Sequence, residues 1–524
     1  MHPFKLEKLF KILTFALGGL LWMILNGNTA QAQNIAEDNE KITLERAEEL
    51  VKDQRNPNVR KLLRQVIVRH KGSVLYCDSA YLHEDKNIVD AFGNARLISE
   101  DGTQLSSDSM FYNGETRIAR ARGDVLLVDQ DMRLNTQALD YNMDEGVAYY
   151  YAGGKIVDSE KTLESQAGSY DTNSKIFYFR EDVELILRSD GRKVRTDDLK
   201  YNTISKLAYF QGPTWIEGSN GTVYTEKGTF NTETEASNFQ GRTRVDNKDY
   251  YLEGDSLYVD NASNYGYARG NVLLFAKLDS VIINGDFGWV KRGDGEAKVY
   301  GNALMRNITQ GDTLYLKADT MYSIDQKEKG QRLMLTYPKT RIYKTEFQGI
   351  CDSLVYNRTD STIYLFRDPV LWNEGSQITA DSISLQMSNN KLYRMNTRVN
   401  SYLISLDSLS NYNQLKGKNM IAYFQDNQIR RVDVRGNGQN IYFALEGDSI
   451  LVGMNRVECS DMNILFAEKN KLNKISYLNK ADAVFVPPHE IEEPQTKFKN
   501  FSWRIDEKPT KSEMITQPIL VRKD

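Results

Sequence analysis

The chain has 524 residues, with 67 Lys and Arg against 71 Asp and Glu, and the two signs are intermixed along it. A nucleic-acid-binding protein would carry a basic face with aromatic residues set into it, so this composition argues against nucleic acid as a partner. Three cysteines cannot all pair, and only four histidines are present. A disulfide framework or a zinc site is therefore not expected.

The first segment has the composition of an export signal. Lysines at positions 5–11 precede an apolar run at residues 12–25, and Ala30 and Ala32 supply small residues for cleavage. The run is shorter than the ~20 residues that span a bilayer. We predict a secretory signal peptide over residues 1–32 that is cut after Ala32, and no later apolar run of spanning length follows.

The next segment, residues 33–64, is compatible with two structures. Ile42, Leu44 and Val51 fit one face of a short helix. Ala47 and Leu50 also fit the first half of a degenerate repeat that ends at residues 65–66. We favour the repeat.

A repeat of about 30 residues organises most of the remaining chain. In residues 106–128, Asn113-Gly114 joins two extended runs and favours a hairpin turn, and the second run is broken at Gly123-Asp124. Similar steps follow one another at intervals of 30, 30, 28, 31, 29, 29 and 31 residues. The steps lie at Gly93-Asn94, Gly123-Asp124, Gly153-Gly154, Glu181-Asp182, Gly212-Pro213, Gly241-Arg242, Gly270-Asn271 and Gly301-Asn302. A period of this size indicates a stacked architecture.

Proline supports the same division of the chain. Pro213 and Pro369 occupy the middle of a step, and Pro338 can be aligned with one. Because proline cannot donate to a β-ladder, these steps mark places where no backbone hydrogen bond is needed. With β-branched and aromatic residues dense between the steps, the sequence predicts an all-β fold of antiparallel two-strand units.

The regularity of the repeat units changes along the chain. We predict regular units over residues 33–308 and more divergent units, with longer hairpins, over residues 309–486. Five of the ten prolines lie in residues 487–524, which we interpret as an extended or partly disordered tail. Three aromatic residues of the tail are candidates for docking on the last strands. They are Phe498, Phe501 and Trp503.

The search for catalytic chemistry is negative. No phosphate-binding loop, nucleophile elbow or His-Glu-x-x-His motif is present. Aspartates recur once per unit, whereas a catalytic carboxylate pair needs one special place with unlike environments, so we interpret them as strand-end or turn groups. These aspartates are Asp78, Asp108, Asp255, Asp286, Asp319, Asp352 and Asp381. We predict no enzymatic activity, no catalytic residue, no cofactor and no metal.

The cysteines follow the repeat as well. Cys77 and Cys351 occupy the slot that Ser107 fills in another unit. We therefore expect small buried side chains there, without a disulfide or ligand role.

Stacked units of this kind create a shared interior. A unit cannot bury its apolar side alone, so neighbours stack into a long double or wrapped sheet. A hollow interior would shelter acyl chains, since each methylene removed from water contributes ~0.8 kcal/mol. The end strands would expose unpaired edges that favour pairing with a like partner.

At this point the units resemble a known family. Cys77-Asp78-Ser79-Ala80 followed by Gly93-Asn94-Ala95, and Asp108-Ser109 followed by Gly123-Asp124-Val125, are similar to the OstA-like family. This is the LptA-like periplasmic β-jellyroll superfamily of lipopolysaccharide transport. The resemblance is clear over residues 42–308 and fainter to residue 486.

The resemblance implies a β-jellyroll or β-taco whose interior receives lipid A chains and whose strand edges join components into a bridge across the periplasm. It implies outer-membrane biogenesis, with lipopolysaccharide or a related lipid as cargo, other lipopolysaccharide-transport components as partners, and head-to-tail self-association. The expected location is the periplasm, in possible association with the outer membrane. The candidate lipid-contacting residues are Met110, Tyr112, Leu139, Tyr141, Leu199, Tyr201, Leu257 and Val259.

Two other functions stay open. One is a structural or surface β-solenoid, a scaffold or adhesin without lipid cargo. The other, which we rank lowest, is a polysaccharide-degrading β-helix enzyme. The chain is also much longer than a typical single bridge protein of the family.

Overall fold

A computed structural model describes residues 41–515, apart from residues 53–55, 131, 158–159, 220, 279, 310–311, 327–329, 389–390, 427, 448 and 468–471. The predicted signal peptide at residues 1–32 lies outside the described part.

The described chain is an antiparallel meander of 38 strands in one sheet. The first twelve are β1 Thr43–Arg46, β2 Glu49–Lys52, β3 Val59–His70, β4 Ser73–His83, β5 Ile88–Ile98, β6 Gln104–Asn113, β7 Ile118–Asp129, β8 Met132–Asn142, β9 Val147–Tyr150, β10 Gly154–Val157, β11 Lys161–Ser165 and β12 Ala167–Asp171. The next twelve are β13 Ile176–Leu187, β14 Lys193–Asn202, β15 Leu207–Phe210, β16 Thr214–Gly218, β17 Gly221–Thr225, β18 Lys227–Asn231, β19 Ser237–Asp246, β20 Tyr250–Asp260, β21 Tyr265–Ala276, β22 Val281–Lys291, β23 Glu296–Thr309 and β24 Asp312–Gln326. The last fourteen are β25 Gln331–Tyr337, β26 Thr340–Lys344, β27 Phe347–Cys351, β28 Ser353–Asn357, β29 Thr362–Phe366, β30 Val370–Asn373, β31 Ser376–Thr379, β32 Ser382–Ser388, β33 Lys391–Leu406, β34 Tyr412–Gln425, β35 Gln428–Glu446, β36 Ile450–Phe466, β37 Leu472–Leu478 and β38 Asp482–Val486.

Helical structure is confined to the end of the described chain. Three short 3-10 turns lie at Pro488–Glu490, Glu493–Gln495 and Ile505–Glu507, and a single helical turn, α1, at Lys511–Met514. The all-β antiparallel prediction is therefore confirmed. Residues 43–52 form strands β1 and β2, so the repeat, and not the helix, describes residues 42–51.

Each repeated step is a corner where the strand bends. The ladder shifts register there, as between Arg122 and Val125 of β7, and the residues in between leave the regular pairing. Many corners consist of two consecutive residues with positive φ. These pairs are Arg64-Gln65, Gly93-Asn94, Gly123-Asp124, Glu181-Asp182, Gly270-Asn271, Gly301-Asn302, Arg367-Asp368, Val399-Asn400, Gly436-Asn437 and Asn479-Lys480.

The aspartates of the repeat complete the corners. A Cβ atom on Gly93 would lie 2.5 Å from Asp78 Oδ2, so glycine is required by both its φ of +74° and the close carboxylate. Asn94, which tolerates the left-handed conformation, donates from Nδ2 to Asp78 Oδ2 at 2.8 Å. Asn271 does the same to Asp255 at 2.8 Å. The serial carboxylates therefore act as corner acceptors.

The corners fold the sheet into two facing layers. In β7, residues 118–122 belong to what we call the first layer and residues 125–129 to the second layer. Alternate side chains of both layers point inward: Tyr150 is 1% exposed whereas its neighbour Tyr149 is 47% exposed. One apolar core spans both layers from Ile42 to Val272, and another runs from Ala303 to Ile464.

Strands lengthen in the later units. β35 has 19 residues and β36 has 17, against 10 to 12 in β4 to β8. This accounts for the looser spacing of the steps after residue 308.

The tail packs across the outer face of the second layer. Phe498 is buried, and Phe501 and Trp503 pack beside it against Tyr412. Farther along, Met514 reaches Leu304. Residues 487–515 thus form a strap that runs back over the strands between β36 and β23.

Two buried glutamines hold the backbone of this strap. The Gln414 side chain donates to Thr496 O at 2.7 Å and accepts from Phe498 N at 3.1 Å. The Gln377 side chain makes the same pair with Ser502 O and Arg504 N, at 2.8 and 2.7 Å. Side-chain amides thereby replace the strand partner that the strap lacks.

Candidate functional site

The space between the two layers is the natural place for an apolar ligand, and it differs along the chain. From β3 to β19 the inward side chains of the two layers pack directly on one another. Leu62, Val89, Leu139 and Leu199 are each 0% exposed. This amino-terminal section is filled by the protein itself.

Aromatic residues close its mouth, the side opposite the corners. The Tyr112 hydroxyl lies 2.7 Å from His70 Nδ1 of the second layer. The Tyr170 hydroxyl donates to Asp129 Oδ2 at 2.7 Å. Because each bond joins two layers that the sequence separates by about 40 residues, we call these contacts clasps.

Farther along the mouth, cation–π contacts take the place of the hydrogen bonds. Lys161 Nζ lies 5.0 Å from the Tyr201 ring centroid, and the Arg192 guanidinium lies 5.6 Å from that of Phe230. Such contacts contribute roughly 0.5–2 kcal/mol each. The mouth is therefore held shut from Tyr112 to Phe230.

The environment of the clasps keeps the hydroxyls neutral. Burial raises the pKa of Tyr112 to about 12. Burial, followed by the hydrogen bond to Asp129, raises the pKa of Tyr170. Both phenols therefore remain protonated at neutral pH.

The structure places most of the predicted lipid-contacting residues in this packed section. Seven of them are at most 3% exposed and share one core: Met110, Tyr112, Leu139, Tyr141, Leu199, Tyr201 and Leu257. Val259 differs from these seven residues in burial, because it is only half-buried and lies at the end of the packed section. In this packed arrangement the seven contact their own chain, and their contact with lipid stays a prediction.

The interior opens immediately after Val259. Inward positions of the first layer in β21 to β23 carry small residues at Gly266, Ala268, Gly288 and Ala297. No aromatic ring stands at these positions to bridge the layers. Val290 occupies the inward position next to the mouth that Tyr112 and Tyr170 occupy in earlier strands, and it is 36% exposed.

The facing second layer is equally open. Leu252, Leu274, Val281 and Ile283 point inward and are half-buried, although their counterparts in the amino-terminal section are buried. The two apolar cores are interrupted at the same place, between Val272 and Ala303. We call the opening the central trough and define it by Val259, Gly266, Gly288, Val290, Ala297 and Val299 of the first layer and Leu252, Leu274, Val281 and Ile283 of the second.

Sequence reasoning did not find the central trough. The available signal was the replacement of the aromatic by Val259 and Val290, together with glycines at inward positions of adjacent strands. Lined by hydrocarbon, the trough can shelter apolar chains but offers no acid, base or nucleophile. Its chemistry is that of a binding site.

The corners provide clefts of another kind. One, of about 580 Å³, lies beside Asp124, Gln137 and Glu184. Its lining is largely polar, so it does not suit an acyl chain.

These features define the class of protein: an antiparallel β-taco with a packed section, a central apolar opening and end strands whose outer edges have no partner among the described residues. Within the described ranges of residues 41–515, no helix is long and apolar enough to cross a membrane.

Comparisons with known proteins find an OstA-like region in the chain. The profile of the OstA-like protein family matches residues 39–190 and 184–255. These residues therefore carry OstA-like repeats, as the sequence predicts. The matched region ends at residue 255, so most of the central trough lies beyond it.

One solved structure with similarity is LptH of Pseudomonas aeruginosa, described as the LptA homologous periplasmic component of the lipopolysaccharide transport device. It is 14% identical, with a TM-score of 0.20, and the match covers 22% of this chain and 82% of that chain. No curated protein matches. The OstA-like similarity therefore depends on the repeat profile.

Proposed function

We propose that the protein is a periplasmic lipid-binding bridge subunit that shelters acyl chains of lipopolysaccharide, or a related lipid, and passes them toward the outer membrane. The observation that supports this proposal most is the central trough. An apolar interior that is sealed on one side and open in the middle fits a protein that takes up acyl chains. The OstA-like repeats at residues 39–255 support the choice of lipid.

Burial of methylenes sets the energetic scale of lipid binding in the trough. Each methylene moved from water contributes ~0.8 kcal/mol, so about ten sheltered methylenes contribute about 8 kcal/mol. That corresponds to a Kd near the micromolar range. Val290, Val299 and Ile283 supply much of the exposed hydrocarbon.

We propose that cargo enters at the central trough and not along the whole array. Met110, Tyr112 and the five other buried candidate residues are at most 3% exposed. The two layers would therefore have to separate before an acyl chain could pass between them. Passage through the amino-terminal section therefore requires the clasps to open.

The end strands suit the proposed bridge. At one end, β1 and β2 pair only with β3 in the described part, and Leu50 is 47% exposed. At the other end, β38 pairs with β36, and Phe485 is 55% exposed. Unpaired strands with exposed apolar residues favour edge pairing with another transport component or a second copy.

The runner-up is a structural scaffold without lipid, and the packed amino-terminal section favours it. A photoreactive amino acid at Val290 tests the choice, because its inward side chain should crosslink to lipid. Ile282 points outward from the second layer on the same strand, between Phe275 and Arg306, and is the matched control. Mass spectrometry of the extracted protein would identify acyl chains.

Crosslinked lipid at Val290, with little at Ile282, supports the bridge subunit. If purified protein carries no lipid and Val290 gives no crosslink with added lipopolysaccharide, the scaffold is the better function.

A further inference from the structure

A row of aromatic residues crosses the outer face of the first layer, on the reverse side of the strands that form the trough. Each member is the direct cross-strand partner of the next, so the row runs perpendicular to the strands. We call it the outer row. Its members are Ser169, Tyr178, Lys200, Tyr209, Thr229, Asn238, Tyr258, Tyr267, Trp289, Lys298, Tyr322, Leu335, Val355, Tyr364 and Ser384.

The composition of the outer row is unusual for an exposed sheet face. Seven of its fifteen positions are aromatic, two are lysine and none is acidic. Toward the amino terminus the same line of cross-strand partners continues through Asp140 and Asp90, which break this character. The acid-free part therefore begins after Asp140, within the packed section, and continues across the strands of the trough.

The rings lie side by side with cations among them. Tyr258 and Tyr267 stack at 5.2 Å between centroids, and Trp289 follows with Tyr322 at 6.1 Å. Lys291 Nζ lies 5.8 Å from the Trp289 ring centroid. The result is an aromatic strip with lysines beside its rings, and the Glu296 carboxylate accepts a hydrogen bond from the Tyr322 hydroxyl at one edge.

A second row reinforces the strip nearer the corner. Phe287 and Tyr300 stack at 5.2 Å, with Arg269 5.7 Å from the Phe287 centroid. Lys298 Nζ lies 5.6 Å from the Tyr300 centroid. Two parallel rows of rings and cations thus cover the outside of β20 to β24.

Sheet stability alone does not account for this pattern. Cross-strand aromatic pairs contribute roughly 0.2–1 kcal/mol each, but they have no need to exclude acidic residues from fifteen successive positions. Large apolar rings that remain half-buried on a solvent face are typical of a binding surface.

The chemistry fits a glycan that carries acidic groups. The C–H faces of sugar rings pack on aromatic rings, their hydroxyls bond to lysine and arginine, and phosphate or carboxylate groups complement the cations. Neighbouring strands lie ~4.8 Å apart, so the rings on successive strands form a regular line that suits an extended chain. Single-stranded nucleic acid also stacks on rings, but it needs a cation for nearly every nucleotide, and the row has two lysines.

We propose that the outer row, centred on Tyr267, Trp289 and Tyr322, binds an anionic polysaccharide. That this glycan is the sugar portion of the carried lipid rests on the proposed function, whereas the binding itself does not. In the combined arrangement, the acyl chains occupy the inner face of β20 to β24 and the glycan lies along their outer face.

The test uses the full mature chain and three probes: deacylated, phosphorylated lipopolysaccharide glycan, neutral dextran and a single-stranded oligonucleotide. Tryptophan fluorescence and affinity electrophoresis report binding. We expect the phosphorylated glycan to bind most tightly and the double variant Trp289→Ala with Tyr322→Ala to weaken it at least tenfold. Tyr81→Ala, in the acid-containing part of the same line, is the matched control and should leave binding unchanged.

Lys298→Glu provides a second variant that retains every ring. It should weaken binding of the phosphorylated glycan several-fold and leave dextran unaffected. Unchanged glycan binding in both variants, or tighter binding of the oligonucleotide than of the glycan, would overturn the proposal. Lipid crosslinking at Val290 is measured separately, so loss of glycan binding with retained crosslinking distinguishes failure of this inference from failure of the lipid function.

Discussion

Filling the central trough should separate lipid binding from stability. Gly288 points inward, and a Cβ there would meet Val272 Cγ1 at 3.6 Å and Val299 Cγ2 at 3.7 Å, which are ordinary contacts. Phe179 and Phe210 fill inward positions of the packed section. Gly288→Phe should therefore be accommodated and should give the trough a similar filled interior.

The two expected effects have opposite signs. A ring that displaces about three methylenes of a bound chain costs about 2.4 kcal/mol, or about 60-fold in Kd. Removing a strand glycine and burying part of a Phe ring should raise the free energy of unfolding by about 1–3 kcal/mol. A variant that is more stable yet binds lipid worse is hard to explain except by occupation of the site.

The assay combines displacement of a fluorescent fatty acyl probe with chemical denaturation. Ser256→Phe places the same ring on the outer face of β20 and is the control for added hydrophobicity. Full lipid affinity in a stably folded Gly288→Phe protein would refute the placement of cargo in the central trough.

Three further outcomes follow from the clasps, corners and thiols. Tyr170→Phe removes the hydrogen bond to the Asp129 carboxylate and should lower the free energy of unfolding by about 1.5–3 kcal/mol in denaturant titration. Gly123→Ala combines a φ of +75° with a Cβ 2.4 Å from Asp108 Oδ2, so it should cost more than about 2 kcal/mol in the same titration. Burial raises the pKa of the Cys77 thiol from 9.0 to about 11, so stability should be complete below pH 9 and decline as pH rises from 9 toward 11.

Each of these outcomes has a matched control. Tyr178→Phe changes an exposed outer-face tyrosine and should be neutral. Gly153→Ala has the same φ of +75° as Gly123 but no atom within 4 Å of its Cβ, so it isolates backbone strain from the clash. Cys77→Ser should remove only part of the alkaline decline, because burial also raises the pKa of the Cys351 thiol to about 12. Equal losses in the two glycine variants, or an alkaline slope that is unchanged in Cys77→Ser, would contradict the respective arguments.

The local chemistry of the sequence was sufficient for the repeat, for the break at each step and for a turn role of the recurring aspartates. That the strand bends at each break, with positive φ at Gly93-Asn94, was visible only in the structure. The inward direction of Met110 and Tyr112 follows from the two-residue period of a strand. Docking of Phe498 was also visible as an apolar signal in a polar tail.

What a sequence cannot show is which side chains meet across the interior. Tyr170 reaches Asp129 because the sheet folds at the corners, and that contact decides that the section is packed and clasped. The path of the strap to Met514 likewise depends on an outer face assembled from distant strands.

By itself, the sequence determined an all-β array of ~30-residue units broken at each step, because turn chemistry and alternation act over a few residues. Only the tertiary structure decided where the interior is full and where it opens. In the sequence, Gly266 and Gly288 do not differ from other strand glycines. The register of β21 and β22 places both at inward positions, opposite the half-buried Leu274 and Ile283 of the other layer. Whether apolar surface is buried or left open depends on the volumes of both layers together, and no single strand carries that information.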